Sequence, residues 1–186
     1  GSFGRKAFLS NDNRASPHVW RRKTLSWVPA RVTENYYRVP AAAGVNASLN
    51  DMMQWLKAHL GQYPEVLSPA QLGELHQAQI KTTKRQAHYK AAAWRGVSNT
   101  HYALGWRTFD FKGVSGFVHH GGYVRGVRTE MVFNPSLNMG MVYLSNSESK
   151  FAGEIVPVVL DLFLKTKATP PSLHSLKAAP LHAPEV

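Results

Sequence analysis

The sequence predicts an α+β chain in which helices pack on an antiparallel sheet, and three observations carry that prediction. Apolar residues recur at helical spacing between positions 48 and 80, switch to a period of two between 102 and 144, and return to helical spacing at 153–164. Successive strands joined by short turns pair antiparallel, and the helix after them can cover one face of their sheet. The 186 residues, 44% of them hydrophobic, suffice for one globular domain with its own core.

Residues 1 to about 40 mix Asn, Arg, Pro and Trp with no sustained period. They are expected to be extended and loop-rich, with one dense charge cluster, Arg21-Arg22-Lys23, beside Trp20 and Trp27. From Ala41 the pattern sharpens. Ser48 or Asn50 can cap a helix that places Met52, Met53, Leu56 and Leu60 on one side before Gly61 stops it. Ser68-Pro69-Ala70-Gln71 supplies a second cap, a proline at the first helical position and a capping-box glutamine; Leu72, Leu75 and Ile80 are expected on one side of that helix. Trp55 and the two methionines read as core, His59 and His76 as surface or packing histidines.

Residues 81–106 carry Lys81, Lys84, Arg85, Lys90 and Arg95 without an acid, which predicts a solvated connection. Strands are expected over 102–111, 116–120, 128–133 and 139–144, where β-branched and aromatic residues dominate. Asn134-Pro135-Ser136-Leu137-Asn138 turns the last two into a hairpin. A helix over 153–164, with Ile155, Val158, Val159, Leu162 and Phe163, then lies on the sheet. Beyond Lys165 the composition shifts to Pro, Ala, Ser and Lys, so the domain is expected to span 1–165 and residues 166–186 to form a poorly ordered tail.

Composition removes several function classes. With no cysteine, the chain has no disulfide scaffold, thiolate metal site, iron–sulfur cluster or cysteine nucleophile. No stretch approaches the roughly 18 apolar residues of a membrane span, and the opening Gly-Ser-Phe-Gly-Arg-Lys lacks the apolar core of a signal peptide. Lys plus Arg number 22 against 11 Asp plus Glu, a net charge of +11, which attracts anionic polymers without naming one. Neither an RNA-binding motif nor a recognition-helix pattern accompanies the basic cluster, so a nucleic-acid-binding domain is the least favoured reading.

The most unusual local feature is Val118-His119-His120-Gly121-Gly122-Tyr123-Val124-Arg125-Gly126. A strand ending in His-His-Gly-Gly places small residues where a ligand or another backbone comes close, with imidazoles beside them. The alternative, a glycine-rich turn with two incidental histidines, fits the residue types equally well. Adjacent strand histidines point to opposite faces, so they do not share a metal without a bend, and no other cluster completes a metal site. No Gly-x-Ser-x-Gly occurs; Gly113-Val114-Ser115-Gly116 is too short. One Ser-x-x-Lys does occur, Ser147-Glu148-Ser149-Lys150, but in a polar turn where Lys150 is solvated and poorly suited to act as a base.

Four runs taken in order resemble a known family: residues 37–52 (Tyr37-Arg38-Val39-Pro40 through Asp51-Met52), Tyr102-Ala103-Leu104-Gly105-Trp106, His119-His120-Gly121-Gly122 with Gly126, and Met141-Val142-Tyr143-Leu144-Ser145-Asn146. Together they resemble the C-terminal half of serine β-lactamase-like hydrolases, the class C β-lactamase and penicillin-binding-protein group. The resemblance implies a β-lactamase/transpeptidase-like fold and hydrolysis of an amide or ester (a β-lactam, a D-amino-acid peptide or a short ester) through an acyl-serine intermediate, with no cofactor and no metal. It implies that His120-Gly121-Gly122 occupies the third family motif, Lys-Thr-Gly. His120 would then take the cationic or hydrogen-bonding role, His120 and Gly121 would contact substrate, Gly122 would permit its close passage, and the backbone N–H of Tyr123 would serve the oxyanion hole.

The family's Ser-x-x-Lys nucleophile motif comes first and its Tyr-x-Asn second; the latter is absent here, and Ser147-Glu148-Ser149-Lys150 lies on the wrong side of the His-Gly-Gly strand. The chain is therefore expected to be the C-terminal portion of a longer hydrolase, with no nucleophile of its own and inactive alone. Its partners are then a small-molecule amide or ester and the N-terminal half of the same enzyme. The sheet edge left by such a division also predicts self-association. Family membership would suggest a bacterial periplasm or cell envelope. The competing reading of another class is a non-catalytic binding module that keeps the His-Gly-Gly cleft wall.

Overall fold

The structure, a computed structural model, describes residues 1–168. The amino-terminal segment is more ordered than its composition suggests. Strand β1 (Ser2–Phe3) leads into helix α1 (Arg5–Leu9), and β2 (His18–Arg21) and β3 (Ser26–Pro29) form a hairpin where a loop was expected. The cross-strand pair Trp20↔Trp27, with rings 5.4 Å apart edge to face, holds that hairpin. Strands this short carry too little alternation to stand out from a loop. Helix α2 (Pro40–Ala43) and β4 (Val45–Asn46), which pairs with β1, complete the segment.

Helix α3 (Leu49–His59) opens on a reciprocal cap that chooses Ser48 over Asn50: the Ser48 Oγ accepts from the Asp51 N–H at 3.2 Å, and Asp51 Oδ2 accepts from the Ser48 N–H at 2.9 Å. Helix α4 (Pro69–His76) uses the predicted Ser68 and Gln71 in the same way. It ends sooner than predicted, because Gln77 is extended. Ile80 therefore does not join the helix face; it lies in β5 (Ile80–Lys81), pairs with Tyr102 and is 67% exposed.

The main sheet has six antiparallel strands rather than four. After β5 come β6 (Val97–Tyr102), β7 (Arg107–Phe111), β8 (Val114–Val124), β9 (Val127–Asn134) and β10 (Met139–Ser145), in the spatial order β10-β9-β8-β7-β6-β5. The single strand expected over 102–111 is two, because the chain reverses between Tyr102 and Arg107, which pair with each other. The Ala103 N–H donates to the Trp106 carbonyl at 2.7 Å to close that turn. Between β9 and β10 the Asn134 side chain accepts from the Leu137 N–H and donates to the Ser115 carbonyl, fixing the predicted turn.

Helices cover both faces. On one, Val156 and Leu160 of α5 (Ile155–Ala168) pack with Phe109, Phe117 and Val132. On the other, Leu56 of α3 packs with Trp106, Val118, Met131 and Phe133. Gly140 admits Leu56, since a Cβ there would stand 2.7 Å from its Cδ1. Cutting Leu56 to alanine removes a fully buried side chain and costs about 2–5 kcal/mol. The last helix continues three residues past Lys165; the rest of the expected tail, from 169 on, lies outside the described residues.

Candidate active site

Strand β8 does not end at His-His-Gly-Gly; it runs through both glycines to Val124. Its two neighbours stop at different places. Pairing with β7 extends only to Arg107↔His119, whereas β9 follows β8 to Val124↔Val127. Among the described residues, 120–124 therefore have a partner strand on one edge and none on the other. Val124↔Val127 closes the ladder across the two-residue turn Arg125-Gly126, as a hydrogen-bonded pair. Alternation then makes Tyr123↔Arg128 and Gly121↔Glu130 the non-bonded pairs, so the N–H groups of Tyr123 and Gly121 point to the open edge.

The two histidines face opposite ways, as strand geometry requires. His120 is half-buried on the α3 face, with its ring against Trp106 and its Nε2 3.3 Å from the Tyr102 hydroxyl. Its Nδ1 lies 2.8 Å from the Gly121 carbonyl. A carbonyl only accepts, so Nδ1 carries the proton and Nε2 accepts from Tyr102. Burial, and then the Arg107 guanidinium, hold its pKa below the usual histidine value, so the ring is neutral at pH 7.

His119 is buried on the α5 face. Tyr89 donates its hydroxyl to Nδ1 at 2.9 Å, and Nε2–H donates to Glu130 Oε2 at 2.8 Å, which satisfies the ring as a neutral imidazole. Burial holds its pKa down against the opposing pull of Glu130. Arg128 Nη2 lies 3.7 Å from the other Glu130 oxygen, and the Arg128 guanidinium sits 5.4 Å from the centre of the Tyr123 ring.

The glycines make room for neighbours. A Cβ on Gly121 would collide with the Glu130 carboxylate, and one on Gly122 with the Thr129 hydroxyl. The turn is clamped from outside the strand. The Glu148 carboxylate accepts from the Gly126 N–H at 2.7 Å and from the Tyr123 hydroxyl at 3.2 Å; Tyr36 donates to the Arg125 carbonyl, and the His18 N–H to the Gly126 carbonyl. Gly126 has φ +80°, and a side chain there would meet Pro17.

Ser147-Glu148-Ser149-Lys150 stands apart from this arrangement as chemistry. The Ser147 hydroxyl lies 3.1 Å from that of Ser145, and Lys150 is exposed. Within this tetrad it is Glu148 that bonds to the β8–β9 turn. His59 and His76, read as surface or packing residues, pack: His59 Nδ1 is 2.9 Å from His76 Nε2 and its ring lies against Trp55, Trp106 and Phe133. Among the described residues no three His, Cys, Asp or Glu side chains gather as a metal set.

His119, His120, Gly121, Gly122 and Tyr123 were singled out in the sequence; the structure places beside them Tyr89, Arg107 and Glu130, which were not, and Tyr102, which was named only within the run 102–106. Glu130 had a signal, the lone acid of its strand, immediately before the apolar run Met131-Val132-Phe133. Tyr89 and Arg107 carried none.

The Beta-lactamase family model matches residues 5–161. The unguisins hydrolase ungD' of Aspergillus campestris (strain IBT 28561) is 30% identical over 122 residues, which cover 64% of this chain and 21% of that protein. Among solved structures, the octameric penicillin-binding protein homologue from Pyrococcus abyssi superposes with a TM-score of 0.73 at 18% identity, covering 88% of this chain and 34% of the other. The penicillin-binding protein from Bacillus halodurans gives 0.59 at 21% identity, covering 82% and 41%. The chain thus spans about a fifth of the curated relative and less than half of either structure. The mixed helix and antiparallel-sheet fold is the one those proteins share, and with residues 5–161 matched by its model the chain belongs to the Beta-lactamase family, a hydrolase-like family with a serine β-lactamase-like fold.

Proposed function

We propose that this chain supplies one wall of the active site of a serine hydrolase that cleaves an amide or ester through an acyl-serine intermediate, with the nucleophile on a region of the enzyme outside this sequence. The open edge of β8 beside His120 carries the proposal. Two fixed N–H groups, of Gly121 and Tyr123, point from that edge, and Tyr123 N–H is the strand's donor to the oxyanion that forms when serine attacks a carbonyl. Charge that develops on that oxygen meets a dipole already in place, so the barrier falls without reorganisation at the moment of reaction.

His120 acts as a hydrogen-bonding rather than a cationic group. Its lowered pKa and its acceptance of the Tyr102 hydroxyl support that assignment, with the Tyr102–His120 pair orienting substrate against the strand. Gly121 and Gly122 keep the cleft wall thin. The class C-like arrangement, the choice among β-lactam, D-amino-acid peptide and short ester, and inactivity of the chain alone belong to this proposal. So does the partner, the N-terminal part of the same enzyme. The outer edge of β10 pairs with no strand among the described residues, and Leu144 of that strand is exposed, which supports a docking surface at this edge.

The test is intact mass after exposure to a fluorophosphonate, a serine-reactive probe, for this chain and for the full-length protein. The full-length form is expected to gain one adduct outside residues 1–186 and the chain none. An adduct on the chain itself, or no adduct on either, overturns the reading. His120→Ala in the full-length enzyme is expected to slow labelling without loss of folding.

A further inference from the structure

Beyond His119, β8 loses β7 and becomes half of a two-stranded ribbon. Two-stranded ribbons twist more than interior strands, so the edge that must hold a fixed N–H is restrained by a ladder on one side only. On the reverse side of this ribbon, away from His120, an unbroken row of side chains pins every second residue. Tyr89 holds His119, His119 holds Glu130, and the Glu130 carboxylate lies in the gap left by the missing side chain of Gly121. Arg128 takes the other oxygen of Glu130 and lies on the ring of Tyr123, whose hydroxyl reaches Glu148. Positions 119, 121 and 123 are thus fixed from behind, and 121 and 123 are the positions whose N–H groups point to the open edge.

We propose that Tyr89, His119, Glu130 and Arg128 form a positioning relay that fixes the Tyr123 N–H for the oxyanion without touching substrate. The inference rests on the oxyanion role given to Tyr123 above. Burial explains why the relay is built from these groups. His119 and Glu130 are 3% and 6% exposed, and polar groups in such a place are costly unless each finds its partner. Two leucines would pack there at less cost, but neither would hold the Gly121 gap and Arg128 together.

The experiment is the saturation kinetics of fluorophosphonate labelling of the full-length enzyme, wild type against Glu130→Gln and Tyr89→Phe, with His120→Ala beside them. Glu130→Gln keeps the shape and a carbonyl acceptor for His119 and removes the charge that draws Arg128. Its maximal labelling rate is expected to fall about tenfold with the half-saturating probe concentration unchanged within about twofold, since only the transition state uses the donor. Tyr89→Phe, the variant that tests the relay if Glu130→Gln fails to fold, is expected to show the same split to a smaller degree. Wild-type maximal rates in every folded variant, whatever their Tm, overturn the relay, as does a change confined to half-saturation. A wild type that takes no label, or a His120→Ala variant that labels at the wild-type rate, defeats the site reading itself.

Discussion

Gly121 and Glu130 face each other across the β8–β9 ladder, and the carboxylate of Glu130 fills the volume that a side chain at 121 would need. Gly122 stands in the same relation to Thr129, one residue along and on the opposite face. The paired glycines of the His-Gly-Gly run thus answer to β9 as well as to any substrate. Glycine is kept on one face for a buried carboxylate and on the other for a hydroxyl.

Gly122→Val is therefore expected to destabilise the protein by about 1–3 kcal/mol through collision with Thr129, besides narrowing the cleft. Thermal melts of Gly122→Val and of Gly122→Val/Thr129→Ala separate the two effects. The double variant should recover much of the Tm while probe labelling of the full-length enzyme stays slow. Recovery of both would show that the glycine serves β9 alone.

Arg107 lies close enough to hold His120 below its usual pKa, second to burial. Arg107→Gln removes a positive charge that disfavours the imidazolium, so the His120 pKa is expected to rise toward that of a free histidine while remaining below it. An NMR titration of the His120 ring protons reads this directly. A midpoint that stays put or falls would mean that Arg107 exerts no field at the ring.

His59, 1% exposed between Trp55, Trp106 and Phe133, has its pKa pushed down to about 4 by burial and then by His76. In the unfolded chain it titrates near the ordinary value, so between that value and about 4 the unfolded state binds the proton that the native state refuses. Stability is accordingly unaffected above about pH 6.5 and falls as pH drops toward 4, by about 3 kcal/mol over that window. Urea unfolding at pH 7, 5.5 and 4.5 measures the slope, and His59→Gln should flatten it. An unchanged slope in that variant would assign the acid sensitivity to other groups.

Ser147→Ala is expected to leave labelling and turnover of the full-length enzyme at wild-type values, since the Ser147 hydroxyl lies against Ser145 and its backbone pairs with His18, both away from the open edge of β8. Glu148→Gln should act through the turn. It weakens the acceptor for the Gly126 N–H and costs about 1–2 kcal/mol, with faster hydrogen exchange at Gly126 as the local signature. A dead Ser147→Ala enzyme would restore the tetrad as a nucleophile motif and displace the site from β8.

Helix starts and strand faces were legible in the sequence because they depend on near neighbours. Ser48, Ser68, Pro69 and Gln71 act within one helical turn, and Asn134 to Asn138 within one loop. The opposite orientation of His119 and His120 follows from the period of two. The strand pair 20–27 and the break after Tyr102 were not legible: the first rests on one pair of rings, the second on the pairing of Tyr102 with Arg107.

What the sequence determined by itself was the class of fold, its helical caps and a strand that reaches His120, because each is written in residues a few positions apart; that the strand runs on through Gly121, Gly122 and Tyr123 was the structure's to decide. Only the tertiary structure decided where β7 stops, which edge of β8 is left open and what lies behind it. Tyr89, His119 of β8, and Arg128 and Glu130 of β9 come from three segments that meet when the sheet forms, and the cost of burying polar groups unpaired makes their meeting specific.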